Sequence, residues 1–369
     1  MAATYRRLIS VDFTKCGTQN STNFTVYVHV VDNTLKGTGS GGHVQNASGF
    51  DITFYSNPDQ SGILNWEVEN YSSTSGTLDA WVQIPTLFTN KNTNFYMFYG
   101  DSSISTFQGG AVGSNWDSNF LGVWHLGLNG ALSINDTTAN QITGTNNNAV
   151  TATAGIADGA AAFASASSQS ITVGSDPAIL QPTAAITVEG WFNTSTASQS
   201  CGFIRKNNFG YLLGMTAGSI SWQPFLNGNA GSTNLVKAGS WSDGNWHYIV
   251  GTYDGLNTLL YGDSAVGAIA GVGGTISYSG GSVHIGANNA ANFFNGSLDE
   301  MRISNVARSQ SYITSTYNNI NSPSTFFALG SESLVAPGTA TVVESDGDDP
   351  GFLRSRGIRY SLYKTILGG

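Results

Sequence analysis

The segment Trp246-His-Tyr-Ile-Val-Gly-Thr-Tyr-Asp-Gly255 decides the fold that we predict for this chain. Most of its first eight residues are aromatic or β-branched, as is typical of β-strands, and the Asp-Gly pair that follows is typical of a tight hairpin turn. The segment Gly296-Ser-Leu-Asp-Glu-Met-Arg-Ile303 is a second strand of similar length. Short strands bounded by turn residues indicate a sheet that packs against another sheet.

The same pattern continues along the whole chain. Between residues 116 and 333, further strand-like segments lie at Leu121–Leu126, Ser170–Val173, Ile186–Phe192, Gly202–Arg205, Tyr211–Leu213, Asn257–Tyr261 and Val283–Gly286. Between residues 1 and 108, they lie at Phe24–Val31, Asp51–Tyr55, Leu64–Glu69, Leu78–Ile84 and Phe95–Tyr99. The stretch 109–115, rich in glycine, predicts a linker between the two groups. The sequence therefore predicts two all-β sandwich domains, at 1–108 and 116–333.

The composition agrees with this fold class and argues against two kinds of partner. Of the 369 residues, 46 are glycine and only 10% are charged, whereas ordinary globular domains carry about 25% charged residues. The net charge of −9 and the lack of a basic stripe argue against nucleic acid as a partner. No apolar run approaches the ~18 residues of a membrane span, so we expect no membrane insertion. Cys16 and Cys201 fall in different predicted domains, and we expect neither a disulfide nor a cysteine-based metal site.

The first group of segments resembles a known family. Gly49–Phe54, Trp66–Glu69, Ala80–Pro85 and Phe95–Asp101 follow the order found in a small β-sandwich domain of uncharacterised function. That domain often stands directly before a concanavalin-A-like domain in bacterial and phage proteins. The resemblance implies a fold and a neighbouring domain, and it implies no activity.

The second group resembles the laminin-G-like branch of the concanavalin-A-like fold, a lectin-type domain. The resemblance is carried by Leu121–Leu126, Ile186–Phe192, Trp246–Gly255 and Gly296–Ile303, and residues 305–313 resemble the segment that usually closes this domain. It implies a jelly roll of two antiparallel sheets packed face to face.

A structural Ca²⁺ ion is a further implication of this resemblance. Asp299 lies where the family tends to place a ligand, and Ca²⁺ needs six to eight oxygen ligands. However, the family often has an acidic residue after the phenylalanine of an earlier strand, where this chain has Phe163-Ala-Ser-Ala. The alternative for Asp299 and Glu300 is a salt bridge or loop hydrogen bonds near Arg302.

No catalytic motif accompanies these segments. Glycanases of the concanavalin-A-like fold carry a strand with Glu-x-Asp-x-x-Glu, and this chain has no such run. Glu67 and Glu69 lie two residues apart and share one face of a strand, which we interpret as a solvated face. The five histidines, among them His125 and His247, are scattered without the spacing of metal ligands. We therefore expect a protein that is not an enzyme.

Glycans suit the weakly charged surface, which is rich in hydroxyl and amide groups. A sugar site typically needs an exposed aromatic ring beside amides or carboxylates. The candidate glycan-binding residues are Trp222, Trp241, Tyr278 and Phe293. For each of them, packing in the core or within a loop is the alternative interpretation.

Residues 334–369 differ from the rest of the chain. An acidic run, Glu344-Ser-Asp-Gly-Asp-Asp349, precedes a segment without acids in which basic residues are interleaved with apolar ones. The residues that carry this pattern are Phe352, Arg354, Arg356, Arg359, Tyr360 and Tyr363. The segment is too apolar for typical disorder, and its alternation suits strand addition to a neighbour. We interpret it as an assembly arm that binds other virion proteins or copies of this chain.

Two functions are compatible with these features. The N-terminus has no apolar stretch of signal-peptide length, yet the domains are of a type common outside cells. A structural or adhesion component on the surface of a virus particle, such as a phage tail, fibre or capsid decoration, reconciles these observations and would reach host-surface glycans. The alternative is a free-standing bacterial carbohydrate-binding or adhesion protein, extracellular or at the cell surface.

Overall fold

The computed structural model describes residues 3–206, 209–227, 234–288 and 291–335. Nearly all of its regular structure is β, with two helices close to residue 320, which confirms the predicted fold class. No helix in these ranges is long and apolar enough to cross a membrane.

The first domain consists of two antiparallel sheets. Its first six strands are β1 (Tyr5–Val11), β2 (Ser21–Val31), β3 (Thr53–Tyr55), β4 (Asn65–Ser72), β5 (Thr77–Leu87) and β6 (Thr93–Tyr99). Strand β6 lies between β1 and β3 in one sheet, and β5 lies between β2 and β4 in the other. The alternation predicted for β2 buries Val26 and Val28 completely, together with Phe54 and Trp66.

The second domain is the predicted jelly roll. Its strands are β7 (Phe120–Trp124), β8 (Gly127–Leu128), β9 (Ala131–Leu132), β10 (Gly144–Asn147), β11 (Thr151–Ala154), β12 (Gly159–Phe163), β13 (Ser170–Val173), β14 (Ile186–Asn193), β15 (Cys201–Lys206), β16 (Tyr211–Thr216), β17 (Ser219–Pro224), β18 (Leu235–Lys237), β19 (Trp246–Tyr253), β20 (Asn257–Gly262), β21 (Ala265–Gly271), β22 (Val283–Ile285), β23 (Ala287–Asn288), β24 (Ala291–Phe293) and β25 (Gly296–Ser304). One sheet has the order β10-β13-β22-β15-β16-β17-β18. The other has the order β11-β12-β25-β14-β19-β20-β21, and β7 also pairs with β25.

Aromatic and aliphatic side chains fill the space between these two sheets. Phe192 of β14 stacks on Phe203 of β15, with 4.5 Å between the ring centroids. The predicted hairpin turn joins β19 to β20: Gly255 has a φ of +95°, and the Asp254 carboxylate accepts hydrogen bonds from the backbone of residues 256 and 257.

After the second domain, the chain returns to the first. Helix α1 (Gln310–Asn321) lies beside β2, and helix α2 (Pro323–Phe326) follows it. Strands β26 (Phe327–Leu329) and β27 (Ser333–Leu334) then pair with β1. The predicted second domain, 116–333, includes residues 327–333, but their pairing places them in a sheet of the first domain. The predicted assembly arm, 334–369, begins within β27, and its residues 336–369 lie outside the described residues.

Candidate functional site

The face of the first domain that turns away from its own core carries polar and aromatic side chains in register. Alternation along β5 sends Leu78 and Ala80 into the core and leaves Asp79 and Trp81 on the other face. Trp81 is paired across the sheet with Glu67 on β4.

Two β-bulges add acidic residues to the contact between the domains. The register of β4 against β5 shifts between Val68 and Asn70, so that Glu69 is an extra residue in β4. The register of β25 against β14 shifts in the same way, and Glu300 there has a φ of +52°. Because the second bulge interrupts the alternation, Asp299 and Glu300 both lie on the outer face, while Met301 packs in the core.

These residues meet at a buried histidine from the end of β7. His125 Nδ1 lies 2.6 Å from Glu300 Oε1 and 3.8 Å from Glu69 Oε2. On the other side of the ring, Nε2 lies 2.9 Å from Glu67 Oε1, which also accepts a 2.9 Å hydrogen bond from Trp116 Nε1. The histidine side chain is 5% exposed, and those of Glu69 and Glu300 are 0% exposed. The interpretation of Glu67 and Glu69 as a solvated face is therefore wrong, because the second domain covers that face.

Neighbouring donors fix the carboxylates. Trp81 Nε1 donates to Glu69 Oε2 at 2.8 Å, and an Arg302 amino group donates to Glu300 Oε2 at 2.5 Å. The same guanidinium lies 3.7 Å from Glu189 and stacks over the Trp81 ring at 4.7 Å. The salt bridge near Arg302 that the sequence analysis offered as an alternative for Glu300 is thus present.

Burial and close charges shift the protonation of this group. Burial raises the pKa of Glu69 well above its usual value, against the pull of His125. Burial and the charge of Glu300 also raise the pKa of Asp299 well above its usual value. Burial opposes a charge on His125, but Glu300 and Glu69 outweigh it and the pKa of His125 is raised well above its usual value. For Glu300, His125 and Arg302 overcome burial and lower the pKa.

A cleft of about 370 Å³ opens beside this cluster, between both domains and the end of helix α1. On the first-domain side, Asp79 is the central residue. Its Oδ1 accepts from the Tyr27 hydroxyl at 2.7 Å and lies 2.6 Å from His29 Nδ1, and its Oδ2 accepts from Asn70 at 3.1 Å. The His29 side chain is 44% exposed, so part of the ring is open to solvent.

The second domain forms the opposite wall through the loop 155–158. Asp299 Oδ2 holds this loop by accepting hydrogen bonds from the backbone N–H of Ile156 at 2.9 Å and of Ala157 at 3.1 Å. Asp158 lines the cleft, and burial together with the charge of Asp79 raises its pKa. Its Oδ2 is buried and has no hydrogen-bond partner among the described residues.

The residues predicted to bind glycans do not come together. Trp222 is fully buried and donates from Nε1 to Thr258 Oγ1 at 2.8 Å, so its assignment to a sugar site is wrong. Trp241 is 7% exposed and lies at the edge of a separate depression. Tyr278 is half-buried with its hydroxyl on Pro182 O, and Phe293 is half-buried on β24.

Asp299, the predicted calcium ligand, is fully buried. In the described part of the chain, the group of three side chains whose ligand atoms converge is instead Glu69, His125 and Glu300, with those atoms within 4.8 Å of one another. The histidine and acid spacings in the sequence did not indicate this group. The only local sign was the pair of consecutive acids at 299 and 300, which breaks the alternation of β25.

Two family models match parts of the chain. Residues 48–120 match the model of a domain of unknown function (DUF2341), and residues 165–314 match that of the concanavalin A-like lectin/glucanases superfamily. No curated protein matches the chain.

Several solved structures have a similar architecture at low identity. The binding domain of Paraclostridial Mosquitocidal Protein 1 is 14% identical, with a TM-score of 0.45 over 54% of this chain and 52% of that one. Domain 4 of the arabinanase AbnA from Geobacillus stearothermophilus, solved with arabinotriose, is 15% identical, with a TM-score of 0.43 over 53% and 97%. The binding domain of botulinum neurotoxin DC, solved with SialylT, is 12% identical, with a TM-score of 0.44 over 55% and 52%.

The match spans only about half of the length of both toxin binding domains. Identities and TM-scores this low say nothing about what this chain binds. The match at 165–314 lies within the predicted range 116–333, whereas the match at 48–120 begins in the predicted first domain and extends past its predicted end at residue 108. The chain therefore contains a domain of the concanavalin A-like lectin/glucanases superfamily, preceded by a DUF2341 domain.

Proposed function

We propose that this chain is a non-enzymatic binding protein that holds a neutral glycan in the cleft between its two domains. The observation that carries this proposal is the polar wall around Asp79, in which three side chains are fixed by hydrogen bonds and His29 is open to solvent. Sugar hydroxyls both donate and accept hydrogen bonds, so the exposed imidazole of His29 and the Asp158 side chain that lines the cleft match them.

The size and the side chains of the cleft restrict the class of ligand that it can bind. Its volume of about 370 Å³ falls at the lower end of small-molecule sites, which suits one or two sugar rings. Ile156, Ile320 and Pro323 supply apolar surface for the faces of those rings. The lining residues include no lysine or arginine that could pair with a ligand carboxylate, and we therefore expect neutral glycans to bind more tightly than sialylated ones.

The same geometry favours binding over catalysis. The hydrogen bonds to Asp79 occupy both of its oxygens. Among the described residues, no hydrogen bond joins His29 to a serine, threonine or cysteine that it could activate as a nucleophile. A glycosidase needs two carboxylates, one on each side of a scissile bond, and Asp79 is held away from that role by its partners.

A glycan array on the full-length chain, followed by calorimetry with the best ligand, tests the proposal. We expect His29→Ala and Asp158→Asn to weaken binding at least tenfold. His43→Ala is the matched control, because His43 also pairs with a carboxylate, Glu332, at 2.8 Å but lies outside the cleft. Saturable binding that both cleft variants leave unchanged would reject the cleft as the site. Release of a shortened glycan during the titration would reject a non-enzymatic role.

We further propose that the protein is displayed on a virus particle, a placement supported by the sequence of residues 334–369. Light scattering on the full chain beside a chain ending at Val335 tests it. An oligomer formed only by the full chain supports an assembly arm. Monomers in both cases contradict self-assembly and favour the alternative, a free-standing bacterial adhesion or carbohydrate-binding protein.

A further inference from the structure

We propose that Glu69, His125 and Glu300 form a binding site for a divalent transition-metal ion that joins the two domains. Glu69 belongs to the first domain, whereas His125 and Glu300 belong to the second. One ligand atom from each lies within 4.8 Å of the other two, and all three residues are buried. Neither domain could assemble this set of ligands alone.

The orientation of the histidine suits a metal ligand. Glu67 accepts a hydrogen bond from Nε2 at 2.9 Å, which places the proton on that nitrogen. Metal binding would release the proton that Nδ1 shares with Glu300, and the lone pair freed in this way would face Glu300 and Glu69. A carboxylate on the far nitrogen of a metal-binding histidine is the usual arrangement, since it fixes the tautomer and raises the basicity of the ligand.

The two carboxylate ligands are held in the same manner. Trp81 fixes one oxygen of Glu69 and Arg302 fixes one oxygen of Glu300. Each ligand of the proposed site therefore has a dedicated donor or acceptor behind it, contributed by residues that are themselves buried or packed in the interface. A surface cluster of acids would have no such support.

Charge and unpaired oxygens supply an independent argument. Four carboxylates in this region, those of Glu69, Glu189, Asp299 and Glu300, are 1% exposed or less. The ion pairs among the described residues give them Arg302 and, when its ring is protonated, His125. Glu69 Oε1 and Asp299 Oδ1 have no hydrogen-bond partner in the same part of the chain. Buried oxygens of this kind are costly unless a proton or a cation satisfies them.

The donor set selects the class of metal. One imidazole nitrogen with two or more carboxylates suits Zn²⁺ or Mn²⁺, whereas Ca²⁺ prefers oxygen ligands alone. Because the ligands are almost inaccessible, the ion would be structural and would not meet a substrate. Its binding energy would add to the stability of the interface.

The experiment starts from the full chain after dialysis against EDTA. Calorimetric titration with Zn²⁺ and with Mn²⁺, and Ca²⁺ as the contrast, gives stoichiometry and affinity. We expect one equivalent of Zn²⁺ or Mn²⁺, a higher unfolding temperature with the ion, and binding of Ca²⁺ at least a hundredfold weaker. Mass spectrometry of the metals in protein that has not been treated with EDTA should find the same single equivalent.

Isosteric variants locate the site. Glu69→Gln removes a ligand and should abolish stoichiometric binding, and Glu67→Gln, which only supports His125, should weaken binding 10–100-fold. His247→Gln is the matched control: His247 also lies between two carboxylates, Asp243 and Asp263, but these contact opposite ring nitrogens and cannot converge.

Three results would overturn the proposal. The first is a wild-type chain that contains no metal and gains no stability from Zn²⁺ or Mn²⁺, which would make the cluster an ion-pair and proton-sharing network. The second is metal binding that survives in Glu69→Gln. The third is binding lost in His247→Gln. Since the wild-type titration needs no variant, poor folding of a substituted chain does not prevent a decision.

Discussion

Replacement of Asn319 by alanine tests whether helix α1 fastens the end of the second domain to the first. The side-chain amide of Asn319 accepts a hydrogen bond from Tyr27 N at 2.7 Å and donates one to Tyr27 O at 2.9 Å. Tyr27 lies on β2, an edge strand, so Asn319 takes the place of a neighbouring strand at this point. Asn319 is 1% exposed, and water cannot replace these bonds.

The magnitude follows from the two backbone groups that the variant leaves unpaired. A buried donor or acceptor without a partner costs about 1–3 kcal/mol. Alanine recovers roughly 0.5 kcal/mol through its higher helix propensity. We therefore expect Asn319→Ala to lower the free energy of unfolding by about 2–5 kcal/mol.

Urea unfolding followed by tryptophan fluorescence measures this loss. Asn318→Ala is the matched control, because Asn318 is the preceding residue of the same helix and makes one exposed hydrogen bond, to Lys15 O at 2.7 Å. We expect the control to cost less than about 1 kcal/mol. Equal losses in the two variants would refute the claim that Asn319 fastens the helix to β2.

Two further predictions concern the second domain. Gly251→Ala should destabilise the chain by about 1–3 kcal/mol or more, since a Cβ there would lie 2.1 Å from the Trp222 ring. Gly271→Ala is the control and should be close to neutral, because its Cβ would meet nothing nearer than 3.9 Å. Thermal unfolding of both variants measures the difference. The hydrogen bond to Asp263 raises the pKa of His247, so its contribution to stability is full below about pH 6.5 and falls as the pH rises through the raised value. Between pH 6.5 and 8, the free energy of unfolding measured in urea titrations should therefore fall less for His247→Gln than for the wild type. An equal fall in the two proteins would contradict this.

Local patterns in the sequence were sufficient to predict the strands and the turns that join them. The alternation of β2 correctly predicted that Val26 and Val28 are buried, and the Asp-Gly pair correctly predicted the hairpin after β19. Both features depend on neighbouring residues only, since alternation follows from strand geometry and a tight turn needs a glycine at positive φ.

The candidate site could not be predicted in this way, because it depends on contacts between distant parts of the chain. Strict alternation places Glu67 and Glu69 together on one face of β4, which is then predicted to be solvated. Nothing near them in sequence shows that the second domain covers that face. The bulge at Glu300 turns a second acid outward, where alternation would place it in the core. The return of residues 327–334 to β1 is likewise a long-range pairing that no local pattern specifies.

The most direct test of the glycan site follows the five histidine rings by NMR during titration with the best neutral ligand from the array. We expect the imidazole signals of His29 to shift in a saturable manner, because its ring lines the cleft and is exposed, while those of His43 and His284 stay in place. Saturable shifts confined to other histidines, with His29 unchanged, would contradict the assignment of the binding site to the cleft between the two domains.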